Sequence, residues 1–474
     1  MTDINYASIE EIHGLYREKK LTVRSLVLAY LSRMAKTDSC ADGLNSVLEI
    51  NPDALFLADA FDEKLRKNVE LTPLFGIPVL LKDNICTADR LHTSAGSVAL
   101  ADVTAQKDAH IVKLLREAGA LILGKANMTE FANYMSRENM PSGYSSRGKQ
   151  VLNPYNREKT PSGSSSGSAV AIAAGLSAVS IGTETSGSII SPAGVAGIVG
   201  IKPTLGLVGR SGIIPISNTL DTAGPMARSV RDAAVLLSVI TGCDPEDPAA
   251  RGHPAAYTDC FTANGCRGMR IGINRSSNED KEEDANEETS AAFDNLCSVF
   301  SDTGASLIEN IRLRQKTAAG DIMRYEFKAA MNNCLSKLND GKIKTLGDII
   351  QYNQAHSSAA LKYGQSILIE AQNKTSGSLT EPDYINALLE REEAISELDA
   401  VFDENELDVI LCESIPNVAP YTGFPSMTIP IGQKKSSEPI PAYFLAKRFG
   451  ETTLIQAAYA AERILALELR PKFI

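Results

Sequence analysis

Apolar side chains recur at helical spacing near the start of the chain: Ile9, Ile12 and Tyr16, then Leu21, Leu26, Val27, Tyr30 and Leu31. That spacing gathers them on one side of a 3.6-residue turn and predicts amphipathic helix within residues 6–36. Ser8 followed by Glu11 has the form of a capping box at its start. The rhythm changes at Leu74. Gly76-Ile-Pro-Val-Leu-Leu81 is a short uninterrupted apolar run, the pattern of a strand covered on both faces. His110-Ile-Val-Lys-Leu-Leu-Arg-Glu-Ala-Gly119 returns to amphipathic spacing and stops at a glycine, and Ala120-Leu-Ile-Leu123 is a second buried strand. Strand, helix and strand in this order predict an α/β unit with a right-handed crossover.

The stretch Ser162–Ser168 breaks the pattern, being serine or glycine at every position. Such composition normally marks a flexible linker. Here it runs straight into the uncharged segment Ala169–Leu176, predicted as a buried helix, and then into Ala178-Val-Ser-Ile-Gly182, predicted as a strand. Asp221–Asp232 leads into an apolar helix that reaches Thr241. Residues 243–400 are more polar, with helical stretches around Asp321–Leu338 and Pro382–Val401. Leu407-Asp-Val-Ile-Leu411 and Ser426-Met-Thr-Ile-Pro430 are predicted as late strands returning to the main sheet. No clean linker or internal repeat divides the chain, so a single domain is expected. Its parts are an N-terminal helical part (1–70), a core (71–245), a variable helical region (246–405), and C-terminal strands and a helix that complete the core (406–474).

Composition narrows the classes of function. A net charge of −11 with no cluster of Lys and Arg argues against a nucleic-acid partner, which needs basic groups to displace counterions. The one dense charge run, Asn278–Glu288, is acidic and reads as a solvated loop or helix face. The N-terminus lacks the basic and apolar regions of a signal peptide, and no apolar stretch approaches the ~18 residues that span a bilayer. No membrane association is therefore expected. Eight cysteines without CxxC pairs read as reduced thiols of a cytoplasmic protein. Five histidines show no metal-ligand spacing, so neither a metal nor a cofactor is expected.

Three features between residues 76 and 203 carry candidate chemistry. Lys82 ends the apolar run Ile77–Leu81. A surface lysine at a strand end is the ordinary reading; a buried one would lose solvation, and its lowered pKa would free the amine to take a proton. The second feature is the Ser/Gly run. The third is Gly182–Pro192, a small-residue turn carrying Ser188, whose crowded backbone N–H groups suit an oxyanion. A serine hydroxyl there needs a base, and no histidine lies in any of the three segments. Gly-x-Ser-x-Gly occurs at Gly163–Gly167, as any Ser/Gly run allows, and no Walker sequence is present.

Taken in order, Gly76–Asn84, Ala118–Asn127, Gly163–Ser168, Gly182–Pro192 and Gly200-Ile-Lys-Pro-Thr204 resemble the amidase signature family. Gly423-Phe-Pro-Ser-Met-Thr-Ile-Pro430 is similar to the family's late strand, so the resemblance covers nearly the whole chain. Within the family it resembles the bacterial peptide amidases through Ser142-Gly-Tyr-Ser-Ser-Arg-Gly148, Gly182-Thr-Glu-Thr185 and Asp221–Arg228. The resemblance implies a large α/β/α domain, a mixed central sheet with helices on both faces. It also implies an amidohydrolase with a Ser-Ser-Lys catalytic unit: Lys82 the base, Ser164 the bridging serine after a cis peptide bond, and Ser188 the nucleophile 24 residues further on. Backbone N–H groups of Thr185, Ser186, Gly187 and Ser188 would form the oxyanion hole.

The implied substrate is a C-terminally amidated peptide or related small amide, handled by a monomer or homodimer. Tyr134, Met135 and Ser136 are candidates for the acyl pocket, with core packing the competing reading. Ser165, Ser166 and Ser191 read as turn or helix-start residues, Asp83 and Asn84 as groups that bond site backbone, and Arg228 as structural. The chain departs from the family pattern in Ser162 and Ser166, where glycines are usual, in Glu184 and Ser186 before the nucleophile, and in Ile190, where arginine is common. Two alternatives stay open. One is a glutamine-hydrolysing amidotransferase A-type subunit or acyl-transferring amidase, and the other an inactive binding protein of the same fold.

Overall fold

The computed structural model describes residues 3–252, 256–261, 265–275, 283–338 and 343–472. Ser8 caps helix α1 (Ile9–Arg17) in the predicted way: its hydroxyl accepts the Glu11 N–H while the Glu11 carboxylate accepts the Ser8 N–H. Helix α2 (Val23–Thr37) follows, then β1 (Val47–Ile50) and α3 (Ala54–Arg66). The predicted unit forms as β2 (Pro78–Lys82), α4 (His110–Glu117) and β3 (Leu121–Ala126), with Gly119 in the left-handed conformation at φ +88° behind the helix. A two-stranded ladder, β4 (Tyr144–Ser145) and β5 (Lys149–Gln150), stands apart from the main sheet.

The Ser/Gly run turns directly into helix α5 (Ser166–Ala173), every residue of which is buried. It starts earlier than the apolar segment alone suggests, because the Ser166 hydroxyl bonds back to the Ser162 carbonyl at 2.5 Å and draws the run's last residues into the first turn. Strand β6 (Val179–Glu184), helix α6 (Ile190–Val195) and β7 (Val199–Lys202) follow. Thr222–Ala227 is then a strand, β8, where the sequence pattern showed only a lead into helix α7 (Val230–Ile240). Gly224 and Pro225 disguised it. Yet β7 pairs with β8 only at Ala227 and Met226, and a Cβ on Gly224 would lie 2.0 Å from the Ile201 carbonyl oxygen.

The later strands are β9 (Arg270–Asn274), β10 (Ser306–Ile308), β11 (Val409–Cys412), β12 (Ser426–Gln433) and β13 (Pro439–Ala446). Among the described residues eleven strands make one mixed sheet in the order β1-β3-β2-β6-β8-β7-β12-β13-β11-β9-β10. Strands β3, β2 and β6 run parallel, as do β11, β9 and β10, and the joins between these groups are antiparallel. Side chains alternate between the faces of a strand. Met226 accordingly belongs to a cluster with Ile172 of α5 and Ile189 and Ala193 beside and on α6, while its neighbour Ala227 belongs to the main core with the buried side of α7, which packs on β8. Helices thus cover both faces. The polar middle of the chain supplies α8 (Glu283–Asp302), α9 (Ala319–Leu338) and the long helix Pro382–Glu404. The acidic run Asn278–Glu288 falls partly outside the described residues. Among the described residues no helix is long and apolar enough to cross a membrane.

Candidate active site

Parallel β2 and β6 end side by side, and antiparallel β8 begins at the same edge of the sheet. Lys82 closes β2, Glu184 closes β6, and Asp221 immediately precedes β8. Carboxyl ends of parallel strands are where open α/β sheets place their ligands. Three ionisable groups therefore converge here, Lys82 and Glu184 buried and Asp221 partly so.

Lys82 is not the surface lysine its position would ordinarily suggest. Its Nζ is withdrawn from solvent and donates to Ser164 Oγ at 2.7 Å and to the Thr183 carbonyl at 3.0 Å. Burial pushes its pKa down to about 7, against the opposing pull of the Asp221 and Glu184 charges. An amine so placed is a mixture of charged and neutral forms near neutral pH.

Ser164 follows a cis Gly163–Ser164 peptide bond, and its carbonyl accepts the Thr129 N–H at 3.0 Å. The neighbouring serines strap the turn in place. Ser165 donates its hydroxyl to the Thr183 carbonyl at 3.1 Å and accepts the Thr183 N–H at 3.2 Å. Ser168 Oγ donates to Ile181 O, while the Ser162 and Ser191 hydroxyls lie 2.7 Å apart. The run is a rigid turn, welded to β6. Its left-handed residue is Ser162 at φ +58°, and no glycine of the run takes a positive φ. Those glycines serve another end: a Cβ on Gly167 would meet the Ser46 carbonyl oxygen at 2.2 Å and the Asn127 carbonyl oxygen at 2.3 Å.

Ser188 sits on the tight turn between β6 and α6, where Gly187 adopts φ +84°. The Ser165 N–H donates to the Ser188 carbonyl at 3.3 Å, which ties the two turns together. Among the described residues no hydrogen bond joins the Ser164 and Ser188 hydroxyls. Glu184 Oε2 accepts the N–H groups of Ile189 and Ile190 at 2.7 and 3.1 Å and so anchors the start of α6. Asp221 Oδ1 accepts the Thr185 hydroxyl at 2.6 Å and its Oδ2 takes the N–H groups of Ile216 and Ser217. Burial raises the Asp221 carboxyl to about 6. Of the four candidate oxyanion donors, Ser186 is exposed and Thr185, Gly187 and Ser188 are buried.

A model of the amidase family matches residues 25–425. A probable amidase of Arabidopsis thaliana is 37% identical over 99% of this chain and 92% of its own. The chain belongs to the amidase signature family. It is an amidase, a hydrolase of C–N amide bonds. The X-ray structure of native peptide amidase from Stenotrophomonas maltophilia is 37% identical, with TM-score 0.92 over 98% of both chains. An amidase family protein from Bacillus anthracis has the same identity and TM-score over 98% of this chain and 92% of its own.

In this amidase the other sequence candidates divide. Tyr134 and Met135 are packed in the main core, where the Tyr134 ring lies 4.8 Å from that of Phe327 on α9. Ser136 bonds Glu138 and the Tyr363 carbonyl. Asp83 accepts N–H groups from Ser94 and Gly96, and Asn84 donates to Thr183 Oγ1 at 3.0 Å and to the Ile214 carbonyl. Arg228 donates to three carbonyls, those of Ile172, Ser177 and Ala7, and among the described residues to no carboxylate.

The sequence reading gave no role to Asp221 or to the buried lysines Lys125 and Lys202. Lys125 donates to Thr93 Oγ1 at 2.8 Å and to the Ile85 carbonyl. Lys202 donates to the Pro203 carbonyl at 2.8 Å, and burial pushes it down to about 8. A charge inside an otherwise apolar strand, as in Leu-Ile-Leu-Gly-Lys125 and Gly-Ile-Lys202, is the signal that could have found them.

Proposed function

We propose that this amidase cleaves a carboxamide through an acyl-Ser188 intermediate, with C-terminally amidated peptides or a related small amide as substrate. The observation that carries the reading is the 2.7 Å contact between a solvent-free Lys82 Nζ and Ser164 Oγ. When the amine is neutral the Ser164 hydroxyl donates to it. Lys82 then takes the Ser164 proton as Ser164 takes that of Ser188, and the Ser188 oxygen attacks the amide carbonyl.

The developing oxyanion lies against backbone N–H groups of the turn Thr185–Ser188, fixed in advance of the reaction. The proton held on Lys82 returns through Ser164 to the departing nitrogen, because an amide nitrogen leaves only once protonated. Water cleaves the acyl-enzyme by the reverse relay. Support for the substrate comes from the 37% identity to a peptide amidase, a protein also solved with the competitive inhibitor chymostatin.

A second reading has its own support. A glutamyl-tRNA(Gln) amidotransferase subunit of Alkaliphilus metalliredigens is 31% identical over 98% of this chain and 97% of its own. Against it, the position where the family commonly carries arginine is Ile190, buried in an apolar cluster with Phe424 and Tyr443. That leaves no fixed cation beside Ser188 from this position.

Ammonia release from peptide amides, small aliphatic and aromatic amides, and glutamine separates the readings. The expected result is turnover of peptide amides by the chain alone and none by Ser188→Ala. Turnover retained by Ser188→Ala overturns the acyl-Ser188 route, and a preference for glutamine that requires a partner favours the second reading.

A further inference from the structure

Two carboxylates grip one short loop from opposite sides. Asp221 closes the loop 216–221 from within: its Oδ2 accepts the N–H groups of Ile216 at 2.8 Å and Ser217 at 3.0 Å, and its own N–H donates to the Ser217 carbonyl at 3.1 Å. Its other oxygen holds the Thr185 hydroxyl, at the start of the turn that carries Ser188. Glu326 grips the same loop from without, reaching it from α9 in the helical region. Its carboxylate accepts the Ser217 hydroxyl, the Thr219 N–H at 3.0 Å, the Thr219 hydroxyl, and the Tyr384 hydroxyl at 2.7 Å.

Ser217 belongs to both grips, giving its amide to Asp221 and its hydroxyl to Glu326. A carboxylate offers about four acceptor sites, and four donors fill those of Glu326. With Glu326 only 2% exposed, a filled set of this kind fixes the loop in one place. Arg210 adds to the fixing, donating to the Asn218 and Asp221 carbonyls while Asp247 clamps its other edge. The next residue of α9, Phe327, lies against Tyr134 in the main core, so the same turn of this helix is anchored to the core while it holds the loop.

We infer that Glu326 is a positioning residue for the hydrolysis, holding the 216–221 loop so that Asp221 sets the Thr185–Ser188 turn. It touches neither substrate nor reacting atoms; it acts through Ser217, Asp221 and Thr185 in turn. The inference rests on the proposed acyl-Ser188 route. Its functional content is that the variable helical region tunes the turn that carries Ser188.

The test is Glu326→Gln, which keeps the size of the side chain but turns one acceptor oxygen into a donor facing donors. Active sites are counted with a fluorophosphonate that labels the reactive serine, and kcat is expressed per labelled site on a peptide amide. The expected result is a fall in kcat per site of about tenfold or more with KM within about threefold, since misplacing catalytic groups by 1 Å costs ~100-fold.

A kcat per site equal to wild type overturns the inference even if the melting temperature falls, because a merely structural carboxylate lowers the number of sites and leaves their quality unchanged. Ser217→Ala, which removes one hydroxyl and leaves the other three contacts of Glu326, is expected to shift kcat in the same direction. An unchanged kcat per site in that variant counts equally against the inference, including where Glu326→Gln does not fold. A wild-type chain that the probe fails to label, or labels elsewhere than Ser188, overturns the acyl-Ser188 route itself and this inference with it. A labelled wild type with unaltered variants overturns the inference alone.

Discussion

Lys82 and Ser164 are 82 positions apart in the chain and 2.7 Å apart in space, with neither side chain open to solvent. The contact joins the end of a central strand to the turn before a buried helix, and the amine's second hydrogen bond, to the Thr183 carbonyl, fixes the lysine side chain there. Replacing the hydroxyl by hydrogen leaves the amine with the Thr183 carbonyl alone. Ser164→Ala is expected to lower kcat by about 100-fold or more with KM nearly unchanged, the range of a lost proton-transfer group. Steady-state kinetics on a peptide amide checks this, and a variant with wild-type kcat would exclude Ser164 from the relay.

Amide hydrolysis should rise with pH through about 7, as Lys82 loses its proton. The Asp221 charge opposes that loss, so Asp221→Asn removes a group that favours the charged amine. The acid limb of the pH–rate profile is then expected to move to lower pH. The plateau should fall at the same time, because Thr185 loses its carboxylate partner. A limb that stays in place or moves upward would contradict the assignment of Lys82 as the titrating base.

Lys82→Met should be inactive at every pH and yet no less stable near neutrality. The folded chain holds the amine at about 7 against 10.5 when it is free, so between those values the unfolded state binds more protons. Stability of the wild type therefore gains from Lys82 as pH rises across that window, and the full penalty remains below it. Melting temperatures measured from pH 7 to 10 should climb less steeply for the variant. A slope equal to that of the wild type would show that the amine is not held neutral.

Gly167→Ala and Gly187→Ala should fail for different reasons. A methyl at 167 would collide with backbone atoms of Ser46 and Asn127, which have nowhere to go, and a loss of about 1–3 kcal/mol is expected from overpacking. At 187 nothing lies within 4 Å of the added carbon, but φ +84° disfavours any side chain. That cost is of order 1–2 kcal/mol and falls on the turn carrying Ser188. Chemical denaturation ranks the two in stability, and kcat should suffer more in Gly187→Ala. Equal effects on both quantities would mean that the two turns are not distinct in their roles.

Strands β2, β3 and β6 were legible because each is a short apolar run between glycines or charges, and α4 because its stripe is regular. Strand β8 was not, since Gly224-Pro225 reads locally as a turn and only the tight approach to Ile201 explains the glycine. The approach of Lys82 to Ser164 follows the order of motifs that the family resemblance reads. Asp221 escaped that reading because its partner Thr185 lies 36 residues away and nothing in the sequence joins them. Glu326 is hidden further, one of two acids in α9, and its contacts exist only once that helix has docked. The serines of the run were separable only in part. Composition makes them alike, and the folded chain gives each a different partner, within the run for Ser166 and outside it for Ser162, Ser165 and Ser168.

The burial of Lys82 bears on how the chain comes into being. Strand β2 leaves the ribosome well before the Thr183 carbonyl and the Ser164 hydroxyl that will receive its side chain. Until β2 and β6 pair, that amine is an ordinary hydrated cation, unable to act as a base at neutral pH. The lowered pKa of this lysine is thus made by the closing of the sheet and vanishes when the sheet opens. On the proposed route, a partly unfolded copy would carry every residue of the candidate site and none of its basicity.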